Sequence, residues 1–407
     1  MEKFGGNKMN NKKLYQKNII LNYIFTFTIN LNLTQGLWML YLATKGLSLA
    51  QLGLLEGVFH LTSFLMETPT GAISDIFGRK WSRYLGRCLS LLHIIILINA
   101  DSFSLFIVAF IICALSYNLE SGSGEALVYD SLIELDKENT FIKVNGIIEF
   151  CCQTAAVISL CIAGYIATNN YILVFIIEAM LVIVSIIQTL FFHETTVSKN
   201  TDHTKITFLN SIKNQYKDSI SIIFSNPKLA YLIVFVSLMG TFNTLSFFYL
   251  QNYWRSYDYN EFNIGVFLSF ASIAGAIGGL LASKIEKILK PEGILRYMPI
   301  IMVICLYGLS HIKFSFFFFI IMGFVDSIVW VATSDYINKL IPSDSRATIL
   351  SFESMTFSLC MILTFPLFGF IADHLDMRIS YILLAIISMI FTVINYVILG
   401  RFKKSNN

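Results

Sequence analysis

The sequence predicts an all-α polytopic membrane protein with twelve transmembrane helices in two pseudo-symmetric six-helix bundles. Its composition is the first reason: 56% of the 407 residues are hydrophobic and 14% are charged, whereas soluble domains carry about 25% charged residues. The mean hydropathy is +0.67. The second reason is that the apolar residues form separate runs, each long enough for a helix to cross a bilayer, which takes roughly 20 residues.

Twelve apolar runs separated by charged breaks are the predicted transmembrane helices. The runs are too long for the apolar region of a cleavable signal peptide, so the first of them is counted as a helix of the protein. In chain order the predicted helices cover residues 18–43, 49–73, 81–100, 103–127, 143–167, 171–193, 229–252, 262–284, 294–311, 314–338, 346–372 and 378–400.

The basic residues between the runs predict the orientation. If the N-terminus is cytoplasmic, 25 of the 29 Lys and Arg residues fall on the cytoplasmic side. The external loops then hold the remaining four, which are Lys45, Arg255, Lys313 and Arg378. This asymmetry follows the positive-inside rule, and one span more or fewer would destroy it. We therefore expect a bacterial cell (plasma) membrane protein with both termini in the cytoplasm.

The longest polar segment follows the sixth run and predicts the domain division. We expect an N-terminal bundle over residues 1–193, a cytoplasmic linker over 194–228 and a C-terminal bundle over 229–407. The halves also echo each other at an offset of about 205 residues, as Asp130 and Asp335 illustrate, and such duplication is how many transporters are built.

The turn after the second run reads GAISDIFGRK and contains a pattern with physical content. Gly71 allows close approach of another helix, and Gly78 suits a tight turn. Asp75 can accept hydrogen bonds at a helix N-terminus, and the planar guanidinium of Arg79 can bridge carboxylates. Basic residues such as Arg79 and Lys80 are also found as simple positive-inside anchors, but that interpretation does not explain Asp75 or the glycines.

These residues match the Gly-x-x-x-Asp-x-x-Gly-Arg-Lys signature between the second and third helices of the major facilitator superfamily, which the chain resembles over nearly its whole length. The segment SGSGEALVYD is similar to Gram-positive members that include multidrug and drug-resistance efflux proteins. The resemblance implies a charge cluster that latches the outward-open state, formed by the motif's Asp and Arg and an acid at the inner end of helix four. The latch and its motif are thus assigned to Gly71, Asp75, Gly78, Arg79, Lys80 and Asp130.

The chain departs from the pattern of drug/proton antiporters. Members of that branch often carry an Arg in helix four, four residues before a Gly, whereas Asn118 precedes Gly122 here. Their Gly-Pro-rich motif in helix five is reduced to Gly164. The second-half copy of the signature has Ser283 in place of the Asp. These departures favour the superfamily over its antiporter branch.

Ionisable residues inside a membrane span are costly and therefore indicate function. Asp326 lies near the middle of span ten, Glu120 in the inner half of span four, Glu178 within span six and His60 on span two. These four are the candidates for substrate binding or proton coupling. The alternative for His60 is a hydrogen-bonded packing residue. Apart from Arg87, no Lys or Arg is expected at comparable depth.

Other ionisable residues have a second interpretation as interfacial or packing groups. The acids Glu56, Glu125, Glu149 and Glu353 lie close enough to span ends to be interfacial, and His93 could serve packing. The seven cysteines lack metal-ligand spacing and are expected to be small packing residues.

Acids outnumber bases along the predicted spans, which favours a cavity that accepts cations and protons. The preferred hypothesis is proton-coupled efflux of a small amphipathic, cationic or zwitterionic compound by alternating access. The alternative is a proton-coupled importer of a small nutrient or metabolite, since one fold hosts many functions.

Enzyme, receptor and nucleic-acid functions are disfavoured. The chain lacks the Gly-x-Ser-x-Gly, His-Glu-x-x-His and P-loop patterns, and it offers no sizeable soluble domain to a receptor. A net charge of +3 gives no bulk attraction for nucleic acid. We expect a monomer in the lipid bilayer, with a small-molecule substrate and protons as partners, and without cofactor or metal.

Overall fold

The computed structural model of the chain describes residues 2–195, 226–341 and 346–405, and their regular structure is helical throughout. A short 3₁₀ turn at Glu138–Thr140 is the exception to α-helix. This confirms the predicted all-α fold class. In chain order the α-helices are α1 (Glu2–Asn30), α2 (Trp38–Thr44), α3 (Leu49–Phe77), α4 (Arg79–Asn99), α5 (Phe103–Glu134), α6 (Phe141–Ala167), α7 (Tyr171–Leu190), α8 (Pro227–Arg255), α9 (Glu261–Leu309), α10 (Ile312–Leu340), α11 (Arg346–His374) and α12 (Met377–Ser405).

Ten helices in the described part of the chain are long and apolar enough to cross a membrane. The count differs from twelve for two reasons. The first predicted crossing is divided between α1 and α2, and α1 begins with a polar stretch that lowers its hydropathy. The eighth and ninth predicted crossings are both contained in α9.

A sharp bend at Lys290 divides α9 into two crossings. Lys290 has φ 59° and ψ 163°, a non-helical conformation inside an otherwise continuous helix. Pro291 follows it, and a proline disfavours helical backbone at the preceding residue and lacks an N–H to donate. The bend therefore forms the turn predicted between these two apolar runs.

The first crossing is broken, which corrects the prediction of one continuous helix over residues 18–43. Residues 31–37 are not helical. Within them, Asn32 Oδ1 accepts hydrogen bonds from the Thr34 hydroxyl at 2.9 Å and from the Gln35 N–H at 3.0 Å. Short polar side chains of this kind compete with the helical hydrogen-bond ladder. An average over an apolar run does not detect such a local competitor.

The helices form two compact units. Unit 1 consists of Met1–Gln35 and Val58–Asn214, and unit 2 of Gly36–Gly57 and Gln215–Asn407, each as far as its residues are described. The chain therefore leaves unit 1 at the break in the first crossing and returns to it within α3. The predicted linker stays a prediction, because only its two ends are among the described residues.

Small residues bring α4 and α5 together in unit 1. The Ser116 hydroxyl donates to the Gly86 carbonyl at 2.8 Å, and a Cβ on Gly86 would lie 3.1 Å from the Ser116 carbonyl oxygen. One turn away, the Ser82 hydroxyl donates to the Leu119 carbonyl at 2.8 Å. Close packing of this kind is the main source of helix association in membranes.

The same principle operates between α9 and α10 in unit 2. A Cβ on Gly278 would collide with the carbonyl oxygen of Phe324. On the facing helix, a Cβ on Gly323 would lie 2.8 Å from the carbonyl oxygen of Ala271. Each helix thus presents a glycine to the backbone of the other.

A carboxylate ties the start of α3 to α11 within unit 2. Asp373 accepts hydrogen bonds from the N–H of Leu49 at 3.0 Å and from the N–H of Ala50 at 2.8 Å. The first N–H groups of a helix have no partner inside the helix and attract anions. Asp373 therefore caps α3 and fastens residues 36–57 to the rest of unit 2.

Close glycine contacts continue along this part of α3. The Tyr249 hydroxyl donates to the Phe365 carbonyl at 2.8 Å. A Cβ on Gly53 would meet that hydroxyl, and a Cβ on Gly369 would meet both the hydroxyl and the Leu49 carbonyl. Since no side chain fits at either glycine, the backbones of α3 and α11 approach closely here, and the Tyr249 side chain of α8 packs against both glycines.

Large apolar side chains are exposed on the outer faces of the helices. Leu280 is 80% exposed, Ile288 79% and Tyr165 67%. Soluble monomers rarely expose extensive apolar surface, so these faces suit contact with lipid.

Candidate functional site

The GAISDIFGRK motif forms the end of α3, a one-residue turn and the start of α4. Gly78 is the turn residue, with φ 98° and ψ 153°. Only glycine adopts this backbone region without strain. The motif's second glycine is therefore required by the backbone, as the sequence predicted.

Glu194, which follows α7, caps the N-terminus of α4. Its Oε1 accepts from the Arg79 N–H at 2.9 Å and its Oε2 from the Lys80 N–H at 3.0 Å. The positive end of a helix stabilises an anion at this position. A Cβ on Gly78 would lie 2.6 Å from Glu194 Oε2, so the carboxylate is a second, independent reason for glycine there.

Sequence reasoning missed Glu194. It gave the possible role of acceptor at a helix N-terminus to Asp75, whose backbone lies in α3 and whose side chain is outside the described structure. The available signal was weak: Glu194 is the first acidic residue after the sixth apolar run. Its partners are more than a hundred residues away in sequence, and spacing alone does not connect them.

Two members of the predicted latch meet. Arg79 Nε lies 3.3 Å from Asp130 Oδ2, and the side chains are 23% and 9% exposed. Lys80 Nζ donates to the Leu190 carbonyl at 2.8 Å, which ties the motif again to the end of α7. Among the described residues, a Cβ on Gly71 would meet no atom within 4 Å.

Next to the motif, α4 carries a buried arginine. Arg83 is 1% exposed. Its Nη2 lies 2.8 Å from Glu120 Oε1 and its Nη1 donates to Asn22 Oδ1 at 2.9 Å. The guanidinium carbon lies 4.2 Å from the ring centre of Phe25 and 4.7 Å from that of Phe192. Ion pairing, hydrogen bonding and cation–π contact together compensate for the loss of water.

This arrangement corrects the expectation that only Arg87 lies deep among the basic residues. Arg83 is among the basic residues predicted to lie on the cytoplasmic side, but its side chain is buried between α4 and its partners Glu120 of α5 and Asn22 of α1. Glu120, a candidate coupling residue, is consequently paired. Its Oε2 is buried and has no hydrogen-bond partner in the described structure.

Glu178 binds the broken first crossing. It is 5% exposed, and its Oε2 accepts a hydrogen bond of 2.7 Å from the Leu33 N–H. Arg87 of α4 donates to the Ser185 hydroxyl of α7 at 3.0 Å and lies within electrostatic range of Glu178. A carboxylate, a guanidinium and an unwound backbone amide thus occupy one buried region of unit 1.

Asp326 lies on α10 in unit 2 and has an amide partner. Asn243 Nδ2 on α8 donates to Asp326 Oδ2 at 2.9 Å. Both side chains are partly buried. In the described part of the chain no Lys, Arg or His forms an ion pair with Asp326. Sequence reasoning identified Asp326 but missed Asn243, because asparagine carries no charge that would single it out.

His60 and His93 occupy packed positions. His60 is 7% exposed and its ring meets that of Phe59 edge-on, with centroids 5.2 Å apart. His93 Nδ1 is 2.8 Å from the Ala109 carbonyl oxygen. Asn118, at the position where drug/proton antiporters carry arginine, bonds both the hydroxyl and the carbonyl of Ser63. It therefore joins α5 to α3 in this protein.

A profile of the Major Facilitator Superfamily matches residues 19–342 and 300–406 of the chain. This chain belongs to the major facilitator superfamily. Superfamily membership makes it a multi-pass membrane transporter of a small molecule.

Several known proteins align with nearly the whole length of this chain. The uncharacterized MFS-type transporter YxaM of Bacillus subtilis (strain 168) is 25% identical over 408 residues, which are 95% of this chain and 97% of YxaM. A mutant of the nucleoside transporter NupG has a TM-score of 0.79 at 13% identity, over 94% of this chain and 99% of NupG. A POT family transporter in complex with 5-aminolevulinic acid has a TM-score of 0.71 at 13% identity, over 95% of this chain and 96% of that one. The two solved structures share the superfamily fold with this chain.

Proposed function

We propose that this superfamily member is a proton-coupled exporter of small amphipathic compounds, drug-like or cationic, that works by alternating access. The observation that carries the proposal is Asp326, a carboxyl group within α10 whose hydrogen-bond partner is the neutral Asn243. An intramembrane carboxyl group without a basic partner binds a proton, a cation or water. A proton and a cationic solute then exclude each other at the same oxygen atoms, which is the requirement for exchange.

We assign supporting roles to three residues of unit 1. Glu178 and Glu120 are further candidates for proton coupling, and the unpartnered Oε2 of Glu120 supports its inclusion. His60 is retained as a candidate whose packed position also suits a structural role. Asp326 remains the principal candidate because Glu120 already has Arg83 as an ionic partner.

We also propose that the motif is the latch of the conformational cycle. The ion pair between Arg79 and Asp130 supports this assignment. Gly78 and Lys80 belong to it through the turn and through the bond to Leu190. Gly71 and Asp75 are included on the strength of the motif alone.

The proposed setting is a monomer in the plasma membrane with both termini in the cytoplasm. Its support is the positive-inside bias of the connecting segments. The motif would then face the cytoplasm, together with the ends of α7 and α12.

The second candidate function is proton-coupled uptake of a small polar metabolite. One observation favours it: the Asn243 amide beside Asp326 offers both donors and acceptors, which suit a neutral hydrogen-bonding solute. Direction of transport separates this candidate from export.

Transport into sealed, inside-out vesicles tests the proposal. We expect an imposed pH gradient, acidic inside, to drive accumulation of the lipophilic cation tetraphenylphosphonium by the native protein. Asp326→Asn should abolish this accumulation, because it removes the proton-binding oxygen while keeping the size of the side chain. Glu149→Gln is the matched control, since Glu149 is exposed and bonds Gln153 of the same helix.

Two outcomes would contradict export. Proton-driven accumulation by Asp326→Asn equal to that of the native protein would remove Asp326 from the mechanism. Proton-driven uptake of a nucleoside such as uridine into right-side-out vesicles, without transport of the cation, would establish the second candidate instead.

A further inference from the structure

The break in the first crossing lies where the chain leaves unit 1. Residues 31–37 separate α1 from α2, and the boundary between the units falls between Gln35 and Gly36. A break removes backbone N–H groups from their helical partners. In a membrane such groups need a substitute partner, because lipid supplies none.

Glu178 provides that partner from α7. The Leu33 N–H donates to Glu178 Oε2 at 2.7 Å, and both residues are buried, at 3% and 5% exposure. Hydrogen bonds to an ionised carboxylate are shorter and roughly twice as strong as those between neutral groups. The strength of this connection therefore depends on whether Glu178 carries a proton.

The charged groups around Glu178 come from the neighbouring helices of unit 1. Arg87 of α4 lies within electrostatic range of Glu178, and Glu120 of α5 and Arg83 lie within electrostatic range of Arg87. The α1 side contributes the uncharged Leu33 amide. The acid of α6, Glu149, is exposed and bonds Gln153 on its own helix.

Two hydrogen bonds that do not involve Glu178 keep Arg87 in place. Its Nε donates to the Ser185 hydroxyl at 3.0 Å and its Nη2 to the Ser90 hydroxyl at 3.3 Å. A proton on Glu178 would therefore weaken the bond to Leu33 while leaving Arg87 positioned. Protonation of Glu178 therefore changes mainly the hydrogen bond that holds the break at residues 31–37.

We propose that Glu178 is a proton-binding site that controls the break in the first crossing. As a carboxylate, Glu178 holds the Leu33 amide and stiffens residues 31–37. When a proton from water binds the carboxylate, the bond to Leu33 weakens and residues 31–37 become more mobile. This inference deepens the proposed proton coupling, on which its physiological meaning rests.

Hydrogen–deuterium exchange of the purified full chain in lipid nanodiscs tests the site without any transported solute. We expect peptides covering residues 31–37 of the native protein to lose protection in mildly acidic buffer relative to mildly alkaline buffer, after correction for intrinsic exchange. Glu178→Gln, which resembles the protonated acid, should exchange about five- to tenfold faster there and lose the pH response. Glu149→Gln should behave as the native protein does.

A second measurement keeps the proposal testable if Glu178→Gln does not fold. Trp38 directly follows the break, and its ring lies 5.5 Å from that of Phe248. In a variant that retains Trp38 as its single tryptophan, fluorescence should change with pH over the range in which protection at residues 31–37 changes.

The results that would overturn the proposal are distinct from those for export. Protection of residues 31–37 that is independent of pH in the native protein refutes it, as does native protection in a folded Glu178→Gln. If the break responds to pH while Asp326→Asn transports normally, the export proposal fails and the role of Glu178 stands.

Discussion

Two acidic residues in this protein perform the same task at different helices. Glu194 receives the first two N–H groups of α4, and Asp373 receives those of α3. Each accepts one hydrogen bond on each carboxylate oxygen. Each therefore orients the start of its helix and places a negative charge there. The contribution of each of these residues to stability depends on partners that are far away in sequence.

The turn glycine of the motif should not tolerate a side chain. Gly78→Ala places a Cβ in a backbone region reserved for glycine and against Glu194, and such strain costs about 1–3 kcal/mol. We expect a lower thermal unfolding temperature in detergent. Gly71→Ala is the control, because its Cβ would meet no atom of the described residues within 4 Å; equal losses in both variants would contradict this account.

The buried pair of Arg83 and Glu120 should show strong coupling. Arg83→Met leaves the Glu120 charge without its ionic partner, and breaking a buried pair typically costs about 3–5 kcal/mol. Adding Glu120→Gln removes the orphaned charge and should recover much of the loss. Unfolding in sodium dodecyl sulfate measures the coupling in a double-mutant cycle. Strictly additive effects would show that the pair is energetically unimportant.

At the residue scale, the sequence predicted those residues that a motif or an isolated charge in an apolar run identifies. Arg79 and Asp130 were found because a motif names their positions, and Asp326 because a charge within an apolar run is conspicuous. Asn22, Asn243 and Glu194 were missed because their importance arises from partners on other helices. Nothing in the sequence around Asn22 or Asn243 indicates which distant residue each one will bond.

At the scale of elements, α3 is the unusual helix because it contributes to both units. Its first part packs closely on the backbone of α11 and on the Tyr249 side chain of α8 through Gly53 and Gly369, and the part from Val58 onward belongs to unit 1. Asp373 holds the start of this helix. A change of conformation that separates residues 36–57 from unit 2 must first break these bonds.

Loss of the Asp373 cap should loosen the start of α3. Asp373→Asn removes the negative charge and one acceptor oxygen, so the N–H groups of Leu49 and Ala50 should exchange with deuterium about fivefold faster. Asp376→Asn is the matched control, since Asp376 is exposed and its side chain accepts a hydrogen bond from the N–H of Arg378, two residues away. Unchanged exchange at Leu49 and Ala50 in Asp373→Asn would exclude the capping role.

The elements themselves were largely predictable, since apolar run length determines where a helix can cross a bilayer. The bend at Lys290 and the break at residues 31–37 differ in how well the sequence predicts them. The bend before Pro291 has a recognisable signal, whereas the break at residues 31–37 depends on Asn32 and on Glu178 from a distant helix. A hydropathy average does not detect the role of Asn32 or of Glu178.

At the scale of the whole molecule, the charge bias predicts which loops share a side of the membrane. Lys45 and Lys137 are both exposed and are predicted to lie outside and inside the cell, respectively. In a cysteine-free background, Lys45→Cys should react with a membrane-impermeant maleimide in intact cells, whereas Lys137→Cys should react only after permeabilisation. Labelling of both in intact cells would invalidate the twelve-span topology.

The contacts of Arg83 also bear on how the protein is made. A ribosome delivers α4 to the membrane before α5, so the positive charge emerges before the acid that will neutralise it. During that interval Arg83 is a free topogenic signal, and it becomes a structural residue once α5 has been inserted. Arg83→Leu should therefore increase the fraction of nascent chains that insert the wrong way round, while Glu120→Gln should leave it unchanged, as glycosylation-site mapping during cell-free translation would reveal.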